Sequence, residues 1–152
     1  MQVVSGPIGR QRVHFDYFDP ALQKANKYGV TSPLGKSMYY DMEIQGPALV
    51  DGFSKRALKK WSDSQGRSPP ATACKPQDPN GPTEKEFLYL VNAERRTQMQ
   101  NSLNDLYKAT TYRPGSFDRL LDQDNMNMDK DFNLRGQNVK GIPATITSGV
   151  LP

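Results

Sequence analysis

Residues 83–108 read TEKEFLYLVNAERRTQMQNSLNDLYK, a run with no glycine and no proline. It opens on Thr83-Glu84-Lys85-Glu86, a capping box in which the threonine hydroxyl covers the amide three residues on and the glutamate reaches back. The pattern predicts one long helix over about 83–108, roughly 25 residues or about 38 Å at 1.5 Å per residue. Phe87, Leu90 and Val91, then Met99, Leu103, Leu106 and Tyr107, supply an apolar stripe, whereas Glu94 to Gln98 is polar throughout. Such a helix sticks at both ends and is wet between. It reads as a strut clamped at two points.

The sequence outside this run is cut short wherever it starts to repeat a pattern. The whole chain of 152 residues includes 12 Gly and 12 Pro, and only 36% are apolar, below the usual globular range. Residues 62–82 contain Ser68-Pro69-Pro70, Pro76, Pro79 and Gly81-Pro82, a composition that favours an extended, polyproline-like linker. Asp19-Pro20 and Gly29 punctuate a short helix over about 20–28. Ser54 starts another over about 54–61, with Ala57, Leu58 and Trp61 on one face, and Ser116 starts a third over about 116–122. Residues 30–52 read as irregular, because Ser32-Pro33, Gly35, Gly46-Pro47 and Gly52 interrupt every period. One short strand is expected near Val13 to Tyr17.

Ordering a backbone costs about 1–2 kcal/mol per residue, and so few apolar runs offer little burial to offset it. The expected fold class is therefore mostly irregular and extended with a few helices and no compact single core. The expected organisation is an extended basic arm (1–61), a Pro-rich linker (62–82), the long helix (83–110) and an extended tail (111–152). Such a chain takes its order from the surface of a larger partner. The net charge of +4 comes from the arm, where nine Lys/Arg face five Asp/Glu over residues 1–60. The cluster Lys55, Arg56, Lys59 and Lys60 favours an acidic partner surface, whether of protein, nucleic acid or membrane. It is too sparse for a dedicated nucleic-acid binder, and no apolar run is long enough to span a bilayer.

Constellations for chemistry are hard to find. His14 is the only histidine and Cys74 the only cysteine, so neither a disulfide nor a histidine-rich metal site is spelled out. Asp122 and Asp129 each begin a stretch like a calcium loop, but the required glycine is replaced by Asn127 or Leu134 and the required glutamate by Asn133 or Lys140. Gly35-Lys36-Ser37 lacks the upstream glycine of a phosphate loop. Ser5 to Arg10 with Val13-His14-Phe15 resembles the lead-in to Fic-type enzymes, whose essential downstream loop is absent. The expectation is a structural protein with no enzymatic activity and no cofactor.

Aromatic anchors next to arginine, as in Thr110-Thr111-Tyr112-Arg113 with Phe117, and the cluster Ser37-Met38-Tyr39-Tyr40, form a recognisable style. In that style the chain resembles the small microtubule inner proteins of ciliary doublets, which weave between tubulin subunits. The resemblance implies an intracellular, axonemal protein in which Tyr112 and Phe117 fill apolar pockets. Arg113 and the cations Lys55, Arg56, Lys59 and Lys60 would meet acidic tubulin. Trp61, Tyr39 and Tyr40 would act as further partner contacts, in line with the weight of aromatic residues at interfaces. The same design suits a minor structural protein of a viral or phage particle, and a ribosome-associated protein is a third reading.

Overall fold

The computed structural model describes residues 17–134 and 137–141. The strand expected near Val13 and the histidine at 14 lie outside them. Six α-helices account for most of the described chain: α1 (Asp19–Lys27), α2 (Pro33–Gln45), α3 (Val50–Ser64), α4 (Glu84–Gln100), α5 (Asp105–Ala109) and α6 (Tyr112–Asp122). A 3-10 turn, Pro47–Leu49, leads into α3, and an antiparallel pair, β1 (Phe132–Leu134) with β2 (Gln137–Val139), follows α6. No helix among the described residues is long and apolar enough to cross a membrane.

Helix α4 is the axis of the packing. It lies against α3 on one side and α6 on the other, α1 packs on α2, and α2 touches both α3 and α6. Between them lies a single apolar cluster containing Tyr28, Val30, Leu34, Met38, Tyr39, Met42, Val50, Phe53, Leu58, Phe87, Leu88, Val91, Leu120 and Leu121. The rings of Tyr28 and Phe87 sit 6.1 Å apart within it.

The extended, coreless architecture expected from composition is therefore corrected. A percentage averages over the chain, whereas burial depends on which face of each helix the apolar groups share. In α3, Val50, Phe53, Ser54, Ala57 and Leu58 are all buried and recur at the 3.6-residue period, so a helix that looks half charged presents a dry face.

The stretch 30–52, read as irregular, is mostly helix for a local reason. Ser32 is the N-cap, its hydroxyl accepting from the Gly35 amide, and Pro33 holds the first helical position. Gly35 serves packing. A Cβ there would stand 2.3 Å from Val30 Cγ1 and 3.3 Å from Leu88 Cδ1, so its absence lets α2 approach its neighbours.

The capping box at Thr83 and Glu86 is present with both bonds formed. The helix it opens stops at Gln100 instead of continuing to 108. Asn101-Ser102-Leu103-Asn104 breaks it, and the Asn104 side chain caps α5 by accepting from the Tyr107 amide. Short polar side chains compete with the helix for backbone groups in this way. Helix α6 begins four residues earlier than the Ser116 start predicted, with Pro114 in its first turn, where a missing N–H costs nothing.

The proline-rich stretch read as a linker is sewn onto the helices. The Ala71 amide donates to Ser62 Oγ, the Cys74 amide to the Tyr28 carbonyl, and the Lys75 amide to the Pro82 carbonyl. Ala71, Ala73 and Cys74 are buried. Gly29 closes α1 at φ +79°, and a side chain there would press on the Cys74 carbonyl, so the loop can lie tight against the end of α1.

Candidate functional site

Polar side chains gather where α2, α4 and α6 meet. Asp41 and Gln45 stand one turn apart on α2, Arg95 projects from α4, and Arg113 lies in the first turn of α6. Arg95 Nη2 donates to Asp41 Oδ2 at 2.5 Å and to Gln45 Oε1 at 2.6 Å. Arg113 donates through Nε to Asp41 Oδ1 at 3.1 Å, and its Nη2 reaches the same oxygen. Gln45 Nε2 donates to Thr110 Oγ1 at 2.7 Å, which ties the segment between α5 and α6 to the cluster.

Burial is graded across the group. The Arg95 side chain is 1% exposed, that of Asp41 21% and that of Arg113 28%. Burial pulls the Arg95 guanidinium below its ordinary range, and the charge and hydrogen bond of Asp41 oppose that pull. One carboxylate serves two guanidiniums, which leaves a surplus of one positive charge. Arg95 Nη1 is buried without a hydrogen-bond partner among the described residues. Asp41 already accepts from both arginines, Oδ2 from Arg95 and Oδ1 from Arg113. The arrangement is suited to orienting another anionic group, a carboxylate above all, since guanidinium forks match that geometry.

A second polar group adjoins it. Asn92, fully buried on α4, donates from Nδ2 to the Pro114 carbonyl and to Asp118 Oδ1, the latter at 2.9 Å. Arg96 also pairs with Asp118. No group of three or more His, Cys, Asp or Glu side chains placed to hold a metal ion exists among the described residues.

Of the residues singled out from sequence, only Arg113 belongs to this cluster, with Tyr112 next to it and partly exposed. Tyr39 is in the core, sharing a 2.6 Å hydrogen bond with Ser54, and Tyr40 stacks at a tilt on Phe18. Trp61 and Phe117 pack half-buried against the core. The cations of α3 are taken up locally: Lys55 by Asp51, Lys59 by Asp63, and Arg56 and Lys60 both by Glu94. These ten residues do not form one surface.

Sequence reasoning missed Asp41, Gln45, Asn92 and Arg95. A signal was available on α4. Leu88, Asn92, Arg95 and Met99 follow one another at steps of four, three and four residues, and all four are buried. The stripe that starts with Phe87 and Leu88 therefore does not become wet after Val91. It continues inward with polar residues in apolar positions, and such residues need partners.

No family model matches the sequence, and a search of curated proteins finds no match. A solved structure, the GH46 chitosanase of Gynuella sunshinyii in complex with chitotetraose, aligns with a TM-score of 0.63 and 21% sequence identity over 88% of this chain. The aligned part is 56% of the chitosanase chain, so this chain spans little more than half of that protein. At this identity the likeness is one of fold. It overturns the resemblance to microtubule inner proteins, and with it the structural role in a ciliary, viral or ribosomal assembly. That reading depended on a chain unable to fold alone. The expectation of a non-enzymatic protein loses the same support: the described chain takes a compact helical fold of the kind found in a chitosanase.

Proposed function

We propose that this chain has a glycoside hydrolase-like function directed at oligosaccharides of amino sugars. The observation that carries the proposal is the shared fold with a chitosanase solved on chitotetraose, extending over 88% of the chain. The polar cluster gives it a chemical rationale. Cleavage of a glycosidic bond employs two carboxyl groups, whose protonation and aim are set by their surroundings. Asp41 is saturated by guanidinium donors and acts as an anchor. The surplus charge at Arg95 and Arg113 is then available to hold a further carboxyl group ionised and aligned.

An amino-sugar oligomer is cationic in mild acid and is drawn to acidic surface. Residues 114–131 hold Asp118, Asp122, Asp124, Asp129 and Asp131 against Arg119 and Lys130; Asp118, Asp124 and Asp131 pair with Arg96, Lys85 and Lys140, which leaves the exposed Asp122 and Asp129 to meet such a ligand. The test is titration of the full chain with chitotetraose, followed by two-dimensional NMR, alongside assay of reducing ends released from chitosan. Binding with chain cleavage supports the reading in full. Binding alone would reduce it to glycan recognition, and neither binding nor cleavage at millimolar sugar would sink it.

A further inference from the structure

We infer that Asn92 is a positioning residue: it fixes the rotation of α6 about its own axis and thereby aims Arg113 at Asp41. Helix α4 continues its buried stripe through Leu88, Asn92, Arg95 and Met99. An apolar side chain at 92 would extend that stripe without burying a polar group of its own. An asparagine is present instead, 0% exposed and with its Oδ1 buried and unpartnered among the described residues. A buried polar group with one unsatisfied atom is destabilising on its own account, so packing does not explain it.

Its bonds do. Both go from Nδ2 to α6, one to the Pro114 carbonyl and one to Asp118 Oδ1. Both contacts are acceptors, so the amide orientation is set by its partners. Residues 114 and 118 are one helical turn apart and share a face of α6. Holding both from a single nitrogen prevents α6 from rolling against α4. Arg113 directly precedes the clamped turn and projects from an adjoining face toward α2.

The geometry makes roll the sensitive coordinate. For a group about 6 Å from a helix axis, a roll of about 20° displaces it by about 2 Å, and a hydrogen bond tolerates only a few tenths of an ångström. Arg96 supports the clamp from the next position by pairing with Asp118. Arg95, by contrast, reaches Asp41 from α4 itself and does not depend on how α6 is turned. Asn92 thus governs one arginine of the pair and not the other.

The inference concerns the same cluster as the proposed function, but its test needs no sugar. The arginine Nε–H signals of the full chain are followed by NMR in the wild type and in Asn92→Leu, which keeps the γ-branched shape and removes the donor. The expected result is at least tenfold faster solvent exchange of the Arg113 Nε–H, with the buried Arg95 Nε–H unchanged. Should the leucine variant not fold, Asn92→Asp keeps the shape, replaces the donor nitrogen by an acceptor, and serves as the same test. An Arg113 signal that stays protected would overturn the inference, as would equal loss of protection at both arginines, which marks general loosening. If chitotetraose binds, Asn92→Leu and Arg113→Ala should weaken it without adding. Absence of sugar binding would count against the proposed function alone.

Discussion

Arg95 and Asp41 form an ion pair at 2.5 Å in which the arginine side chain is 1% exposed. A guanidinium so placed cannot recover its hydration if the carboxylate is removed. Breaking a buried pair from one side typically costs about 3–5 kcal/mol. Asp41→Asn is expected to destabilise the protein by that order in urea unfolding, because it leaves two arginines facing an uncharged amide. Arg113→Ala should cost clearly less, since its partner keeps Arg95 and its own side chain is already 28% exposed. Equal losses in the two variants would show that the burial gradient does not set the energetics.

Glu94 predicts the acid limb of stability. Its carboxyl is buried, which alone would raise its pKa, but the hydrogen bonds and charges of Lys60 and Arg56 outweigh burial and hold it below its ordinary value of 4.5. Asp51 is likewise depressed, chiefly by the Tyr28 hydroxyl and with help from Lys27, while burial opposes. A carboxyl depressed in the folded state contributes stability that is fully present above its unfolded pKa. The contribution is lost as pH falls through the folded value. Unfolding free energy should therefore decline from about pH 4.5 downward, and Glu94→Gln should shrink that decline while lowering stability at neutral pH. A constant offset between variant and wild type across the acid range would refute the assignment.

Cys74 should be inert in the native state. Its thiol is fully buried and donates to the Tyr28 and Gly29 carbonyls, both at 3.2 Å. Burial, reinforced by the charge of Glu84, pushes its pKa up to about 12. Because the thiolate is the reactive form, a disulfide reagent such as Ellman's should label the native protein only as fast as it opens, and at once in strong urea. Rapid labelling without denaturant would mean that the 65–82 loop is not held against α1 as described.

How far the sequence could be read depended on whether the signal was local. The capping box at Thr83 and Glu86 is a four-residue device and is found as written. Ser32-Pro33 is equally local, yet in sequence it reads as one of a series of interruptions with Gly35, Gly46-Pro47 and Gly52. Gly35 answers to Val30 and Leu88, contacts that only the folded chain reveals. The core escaped for a related reason. Tyr39, Phe53 and Phe87 are far apart in sequence, and none announces the others, although each lies on a dry helical face. Within the site, Arg113 was singled out for its aromatic neighbour, not for Asp41, which lies 72 residues away. A pair at such separation is set by how three helices cross, which no local pattern encodes.

Two glycines inside helices turn this distinction between local and tertiary demand into a measurement. In a helix interior, replacing glycine by alanine gains about 0.5–1 kcal/mol from backbone entropy if the new methyl group has room. At Gly115 in α6 nothing lies within 4 Å of the position a Cβ would take, so Gly115→Ala should raise the melting temperature. At Gly35 in α2 the same atom would meet Val30 Cγ1 at 2.3 Å. Val30 is fully buried and β-branched, hence stiff. Overpacking of that kind costs about 1–3 kcal/mol and outweighs the propensity gain, so Gly35→Ala should lower the melting temperature. Parallel shifts in the two variants would mean that α2 does not approach Val30 and Leu88 as closely as described, and the fit of the helix carrying Asp41 would have to be redrawn.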